Sequence, residues 1–241
     1  MHDQMFYIPA SAPGVSVIAA THRWDYMDHL LNNYIHQEYR CKELILILNN
    51  NQLELKIWQD KVRSYKNIRV VQVDESISLG ECYNQAVKLA QYPLIAKFDD
   101  DDYYAPLYLY ETVGTYFFSK ADIVGKASRY IYFSGPGMLG ICQPLDEYRF
   151  TSLVAGATML FSKELWEKIK FRDLALGEDT QIQQECLLAG YKIFSGSRFH
   201  YVTIRRSDQN THTFKVEEQV YMATCQDFIR TDNYAFICSE G

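Results

Sequence analysis

The chain has 241 residues, 48% of them apolar and 22% charged, which provides for one sizeable core and rules out a disordered chain. A net charge of −6 excludes the basic footprint of a nucleic-acid binder, and no apolar run approaches the ~18 residues of a membrane span. The opening MHDQMFYIPASAPG carries an acid and two prolines where a secretory signal has a basic end and an apolar run, so a cytoplasmic protein is expected.

The predicted elements begin with VSVIAA, Val15 to Ala20, a β-branched run between Pro-Gly and Thr-His-Arg that reads as strand one. A helix follows, with Tyr26, Met27, Leu30, Leu31, Tyr34 and Ile35 on one stripe. Glu43 to Leu48 is strand two, Leu53 to Val62 an amphipathic helix and Ile68 to Val73 strand three. Ser78 and Glu81 have capping-box spacing, which starts a helix near Leu79. LIAKF is strand four and runs into Asp99, Asp100, Asp101 and Asp102. Strands alternating with helices predict an α/β fold, a mainly parallel central sheet with helices on both faces. Ligands of such sheets bind beyond the carboxyl ends of the strands, which is where the aspartates stand.

The second half is less regular. Pro106 to Phe118 and Thr180 to Ala189 read as helices, the latter stopped by Gly190, and Ser162 caps a short one. Ala127 to Phe133, Gly156 to Phe161 and Tyr191 to Ser195 read as strands, the last of them closing the series. SGPGMLGICQP reads as a loop and the tail after Phe199 shows little periodicity. The cysteines are scattered without a C-x-x-C and read as buried free thiols.

Four adjacent carboxylates repel one another. A calcium loop needs acids at alternate positions, a central Gly and a closing Glu, and DDDDYYAPLYLY has none of these beyond acids. A solvated charge cluster is the plain alternative. Against it, the run sits between a buried strand and the aromatic YYAPLYLY, company in which a divalent cation neutralises the charge. Carboxylate oxygens suit Mg²⁺ or Mn²⁺ completed by water and phosphates, which points to a metal–diphosphate site. Glu178-Asp179 is a second acidic pair. Asp179 at a helix start is favoured ionised by the dipole, with Glu178 beside it pushing the other way; it is a candidate base, or only a cap. Thr21 and Arg23 end strand one, and Asn49 to Asn51 end strand two at the same rim. The tail offers His200, Arg205, Arg206 and His212.

These features together resemble the family 2 glycosyltransferases of GT-A fold. The residues that carry the resemblance are Thr21-His22-Arg23 after strand one, Gly80 and Asn84 after strand three, the run Phe98 to Asp102 with Pro106 beyond it, and Glu178-Asp179 opening a helix. It extends from about Val15 to His212. It implies one GT-A-type domain, with about 15–102 as the nucleotide-binding half and about 103–241 as the acceptor-binding half and tail. It implies a metal-dependent transfer of sugar from a nucleotide-diphosphate donor, a UDP-sugar above all, to the hydroxyl of a glycan, small molecule or protein, with inversion. Asp179, paired with Glu178, would be the catalytic base. Asp101 would hold Mn²⁺ or Mg²⁺, with Asp102 its rival and His212 from the tail. Asp99 would lie near the ribose with Asp100 as spacer. Thr21, Arg23, Asn49, Gly80, Asn84, Lys97, Arg205 and Arg206 would complete the donor site. The Asn residues stand where the family usually has Asp, which leaves the base open. A nucleotidyltransferase would want a glycine-rich loop that THRWDYMDH lacks, and a non-catalytic nucleotide- or sugar-binding module would show no donor hydrolysis.

Overall fold

The computed structural model describes residues 8–208 and 216–239; His212 lies outside them. The first half alternates β1 (Val15–Thr21), α1 (Met27–Ile35), β2 (Lys42–Leu48), α2 (Leu55–Val62), β3 (Ile68–Gln72), α3 (Leu79–Leu89) and β4 (Leu94–Lys97). β3, β2, β1 and β4 lie side by side and parallel, with Val15 opposite both Lys42 and Leu94. Period-two alternation splits the apolar residues between two faces. Val15, Val17, Leu44 and Leu46 pack with α1, α2 and α4 (Tyr108–Ser119). Ile18, Ile45 and Ile47 pack with α3, α5 (Lys163–Lys168) and α6 (Glu178–Leu188). Strands buried on both faces explain the near-continuous apolar runs.

Past β4 the sheet continues through β10 (Leu160–Ser162), β6 (Ile123–Gly125), β11 (Ile193–Ser195) and β9 (Arg149–Thr151). β10 is antiparallel to β4, Leu160 facing Ala96. A second sheet has the order β13-β8-β7-β12-β5: β5 (Tyr103–Tyr104), β7 (Arg129–Phe133), β8 (Met138–Cys142), β12 (Tyr201–Arg205) and β13 (Cys225–Arg230). Short helices α7 (Glu218–Met222) and α8 (Tyr234–Ser239) accompany β13.

Three expectations are corrected. The segment read as a loop at 134–144 contains β8, which pairs with β7 from Phe133–Met138 onward. Glycine masked the strand: a Cβ at Gly140 would stand 2.6 Å from the Phe228 ring, so the missing side chain makes room for an aromatic one. The strand expected from Gly156 is a 3-10 turn over Gly156–Thr158, and β10 is confined to three residues. β11 is followed by β12 and β13, whose five- and six-residue runs are too short to show a period and are held by their neighbours in the second sheet. Among the described residues no helix is long and apolar enough to cross a membrane.

Candidate active site

The carboxyl ends of β1 and β4 lie together, the Phe98 N–H donating to the Ile18 carbonyl at 3.0 Å. From there the four aspartates take four directions. Asp99 accepts from the buried Lys97 Nζ at 2.6 Å and is the most exposed of the run, its side chain 35% accessible. Asp100 turns inward to the Thr21 hydroxyl and the Arg23 guanidinium. Asp101 pairs with Arg23 at 3.0 Å and Arg206 at 2.7 Å. Asp102 is buried; its carboxylate accepts from the Tyr201 hydroxyl and from the Ile204 N–H, and its carbonyl accepts from Asn33 Nδ2 at 2.7 Å.

Charges follow position. Burial alone would push the Asp101 carboxyl up, but Arg23 and Arg206 outweigh it and hold it below its ordinary value. Burial and the neighbouring Asp101 push Asp100 up, against Arg23. Burial, with Asp101 and Asp99 nearby, carries Asp102 well above the carboxylate range. Burial opposes the charge on Lys97, yet Asp99 keeps it protonated, its value raised. Lys97 Nζ also lies 4.7 Å from the Tyr83 ring centre, a cation–π contact.

The run bends around Tyr104, whose ring stacks on Phe98 with centres 3.8 Å apart. The Tyr104 hydroxyl accepts from the Asp99 N–H and donates to the Ala157 carbonyl, both at 2.8 Å. Beside Ala157, Gly156 faces the second acidic pair. A Cβ there would stand 1.6 Å from Asp179 Oδ2, so only glycine leaves room for that carboxylate. Asp179 Oδ1 accepts from the Thr180 N–H at 2.6 Å in the first turn of α6, which starts after Gly177 at φ 83°. Glu178 is buried. Desolvation and the adjacent Asp179 push it up to about 7, against the pull of Lys97.

One cavity of about 480 Å³ gathers both acidic groups, with Lys97, Arg23 and Arg205 also on its walls. Several expected residues stand elsewhere. Gly80 packs against the backbone of Arg172, where a Cβ would meet the carbonyl oxygen at 1.9 Å, and its N–H donates to the Leu174 carbonyl. The Asn84 side chain accepts from Trp166 Nε1 and the Phe171 N–H and donates to the Phe171 carbonyl. Both residues lie behind the wall and fix the segment that delivers Glu178 and Asp179. Asn49 spends its amide on the Asp74 carbonyl at 2.9 Å and is not on the cavity wall. Asp100 is an anchor for Arg23 rather than a spacer. Asp102, with both oxygens committed, is unsuited to rival Asp101 for a cation. Tyr83, Tyr201, Tyr221 and Arg129 line the cavity without a sequence motif to announce them; the only advance sign was a tyrosine count of 19.

Among the described residues no three His, Cys, Asp or Glu side chains converge as a metal cage. Asp99 and Asp101 nevertheless fit a cation of the Mg²⁺ type, which takes one or two carboxylates and completes its shell with water and substrate phosphates.

Comparison with known proteins gives a family match: the model described as Glycosyl transferase family 2 covers residues 16–153, more than half of the chain. That match includes the aspartate run and stops short of Asp179. The O-antigen biosynthesis glycosyltransferase WbnJ of Escherichia coli is 28% identical over 158 residues, 63% of this chain and 62% of that protein. S. aureus TarS 1-349 in complex with UDP-GlcNAc superposes with a TM-score of 0.65 at 19% identity, over 88% of this chain and 64% of that one. The mannosyltransferase PcManGT from Pyrobaculum calidifontis, in complex with GDP-Man and Mn²⁺, gives 0.63 at 15% identity, over 89% and 60%. The fold is of GT-A type, and the chain spans about three fifths of the length of these relatives.

Proposed function

The chain belongs to glycosyl transferase family 2, and from that premise we propose that it moves a sugar from a nucleotide-diphosphate donor to an acceptor hydroxyl, with inversion. The observation that carries the reading is the meeting of Asp99–Asp101 and Glu178–Asp179 across one cavity at the carboxyl ends of the parallel strands.

The donor's diphosphate lies at the Asp99–Asp101 end. Arg206, now on Asp101, and Arg205 are the fork-shaped donors for phosphate oxygens. Asp99 and Asp101 would hold Mn²⁺ or Mg²⁺, which neutralises charge on the leaving diphosphate when bound. Asp179 takes the proton of the acceptor hydroxyl as it attacks the anomeric carbon from the opposite face. Glu178, protonated up to about pH 7, keeps a second negative charge away from the base, two adjacent acids set apart by their surroundings. A UDP-sugar is the proposed donor, in line with the UDP-GlcNAc complex of one structural relative; the GDP-Man complex of another makes GDP-sugars the comparison. A cytoplasmic location accords with a sugar-nucleotide substrate.

The test is a thermal-shift panel of UDP, GDP, UDP-GlcNAc and GDP-Man with and without Mn²⁺, followed by donor hydrolysis. One nucleotide should raise the melting temperature in a metal-dependent way. Asp179→Asn should keep that shift and lose about 10²–10⁴-fold in transfer. If no nucleotide shifts the melting at any metal concentration, the proposal is wrong.

A further inference from the structure

Arg129 carries a charge that no carboxylate among the described residues matches. It opens β7 on the cavity wall. Nη1 donates to the Ala127 carbonyl at 2.9 Å and Nη2 to the Tyr221 hydroxyl at 3.1 Å, both neutral acceptors. Nε is enclosed and has no hydrogen-bond partner. Arg23 and Arg206, by contrast, both rest on Asp101. Among the described residues no carboxylate lies in ion-pair range of Arg129.

Besides the Tyr221 hydroxyl, a thiol faces the guanidinium. Cys142 is the partner of Arg129 on β8. Its thiol is pushed down to about 6 by a hydrogen bond from Cys225 and by the guanidinium, against burial. Ionised, that thiol offsets part of the charge, but a guanidinium withdrawn from water without a carboxylate partner is still costly. Such a cost is tolerated at sites where a ligand brings the counter-charge.

Position separates this charge from the donor's diphosphate. In the second sheet β7 lies two strands from β5, which continues directly from the aspartate run. At ~4.8 Å per strand that is about 10 Å, longer than a single sugar ring and far beyond a hydrogen bond. Tyr221 touches both Arg129, through its hydroxyl, and Arg205, whose guanidinium lies 5.7 Å from its ring.

We propose that Arg129 receives an anionic group, a phosphate or a carboxylate, carried by the acceptor, and so selects acidic acceptors over neutral ones. Nη1 and Nη2 each spend one N–H on the protein and keep a second, and these form the end of a planar fork that matches either oxyanion in two places. Calling the bearer an acceptor rests on the sugar-transfer reading above; the preference for an anion does not.

Glucose, glucose 6-phosphate and glucuronate are titrated as probes by saturation-transfer NMR, with UDP present to fill the donor's phosphate site and again without it. At least one acidic probe should bind about tenfold or more tightly than glucose, and which one does so distinguishes phosphate from carboxylate. Arg129→Met should reduce it to the level of glucose and leave UDP affinity unchanged, while Arg129→Lys retains part of the preference. Should the Met variant fail to fold, Tyr221→Phe, which removes the hydroxyl on Nη2, should weaken the acidic probe several-fold. Equal binding of all three probes overturns the proposal, as does an Arg129→Met variant that loses UDP and acidic probe alike, since Arg129 would then serve the diphosphate. If UDP fails to bind the parent protein, the sugar-transfer reading falls, and the titration without UDP still decides the role of Arg129.

Discussion

Gly156 lacks a side chain at the place where Asp179 needs the space. In sequence it was the first residue of an expected strand; nothing in GATMLF says that a carboxylate 23 positions later will fill the volume of its Cβ. Gly156→Ala should displace Asp179 and lower transfer by about 10²-fold, the cost of roughly an ångström of misplacement, with nucleotide affinity unchanged in a thermal-shift titration. Glu178 carries a pH signature of a different kind. Its value is 4.5 in the unfolded chain and about 7 in the folded one. The folded state therefore favours the protonated form, and the stability from this group is complete below pH 4.5 and lost as pH rises through about 7. Glu178→Gln removes that dependence. Relative to the parent it should gain stability between pH 5 and pH 8, by up to about 3 kcal/mol, read as melting temperature against pH.

At the scale of elements, the first four strands were legible because each is a short apolar run closed by polar turns, and because burial on both faces leaves the runs unbroken. The capping of α3 was legible too: the Ser78 hydroxyl accepts from the Glu81 N–H at 3.3 Å. What sequence could not show is what α3 rests on. Gly80 and Asn84, expected at the donor, instead hold the segment from Phe171 to Leu174 and through it the start of α6. Their position in a motif is visible in one dimension; the loop they clasp arrives some 90 residues later. Gly80→Ala must push the Arg172 carbonyl away. It should destabilise the protein by about 1–3 kcal/mol as overpacking does, measured by urea unfolding, and lower transfer more than donor hydrolysis, because α6 carries the proposed base and the donor end is untouched. The second sheet was least legible, since β8 gives a residue up to Phe228 and β12 and β13 are short.

At the scale of the molecule, two sheets are joined by a buried charge pair. Lys126 follows β6 of one sheet and precedes β7 of the other, and its Nζ donates to Glu111 Oε2 on α4 at 2.6 Å and to the Ser197 carbonyl at 2.9 Å. Ser197 Oγ donates to Glu111 Oε1 at 2.9 Å, so helix and both sheet connections close on one carboxylate. Glu111→Ala strands the ammonium in the interior and should cost about 3–5 kcal/mol. Replacing both partners by Met should recover most of the loss, and the comparison by denaturant unfolding separates the pair's joining role from its raw contribution.

The Tyr104 hydroxyl has a consequence of another order. It is bonded on one side to the backbone of Asp99 and on the other to the backbone beside Gly156. The distance from the acid proposed to face the donor to the acid proposed to face the acceptor is thus gauged in part through a phenol, stiffened by its stack on Phe98, alongside the bond from the Lys97 N–H to the Met159 carbonyl. A reaction of two substrates needs two sites in fixed registration. Here one oxygen atom works beside the β4–β10 pairing to register them, and its loss should leave the protein folded and able to hold each substrate while holding them less well in step.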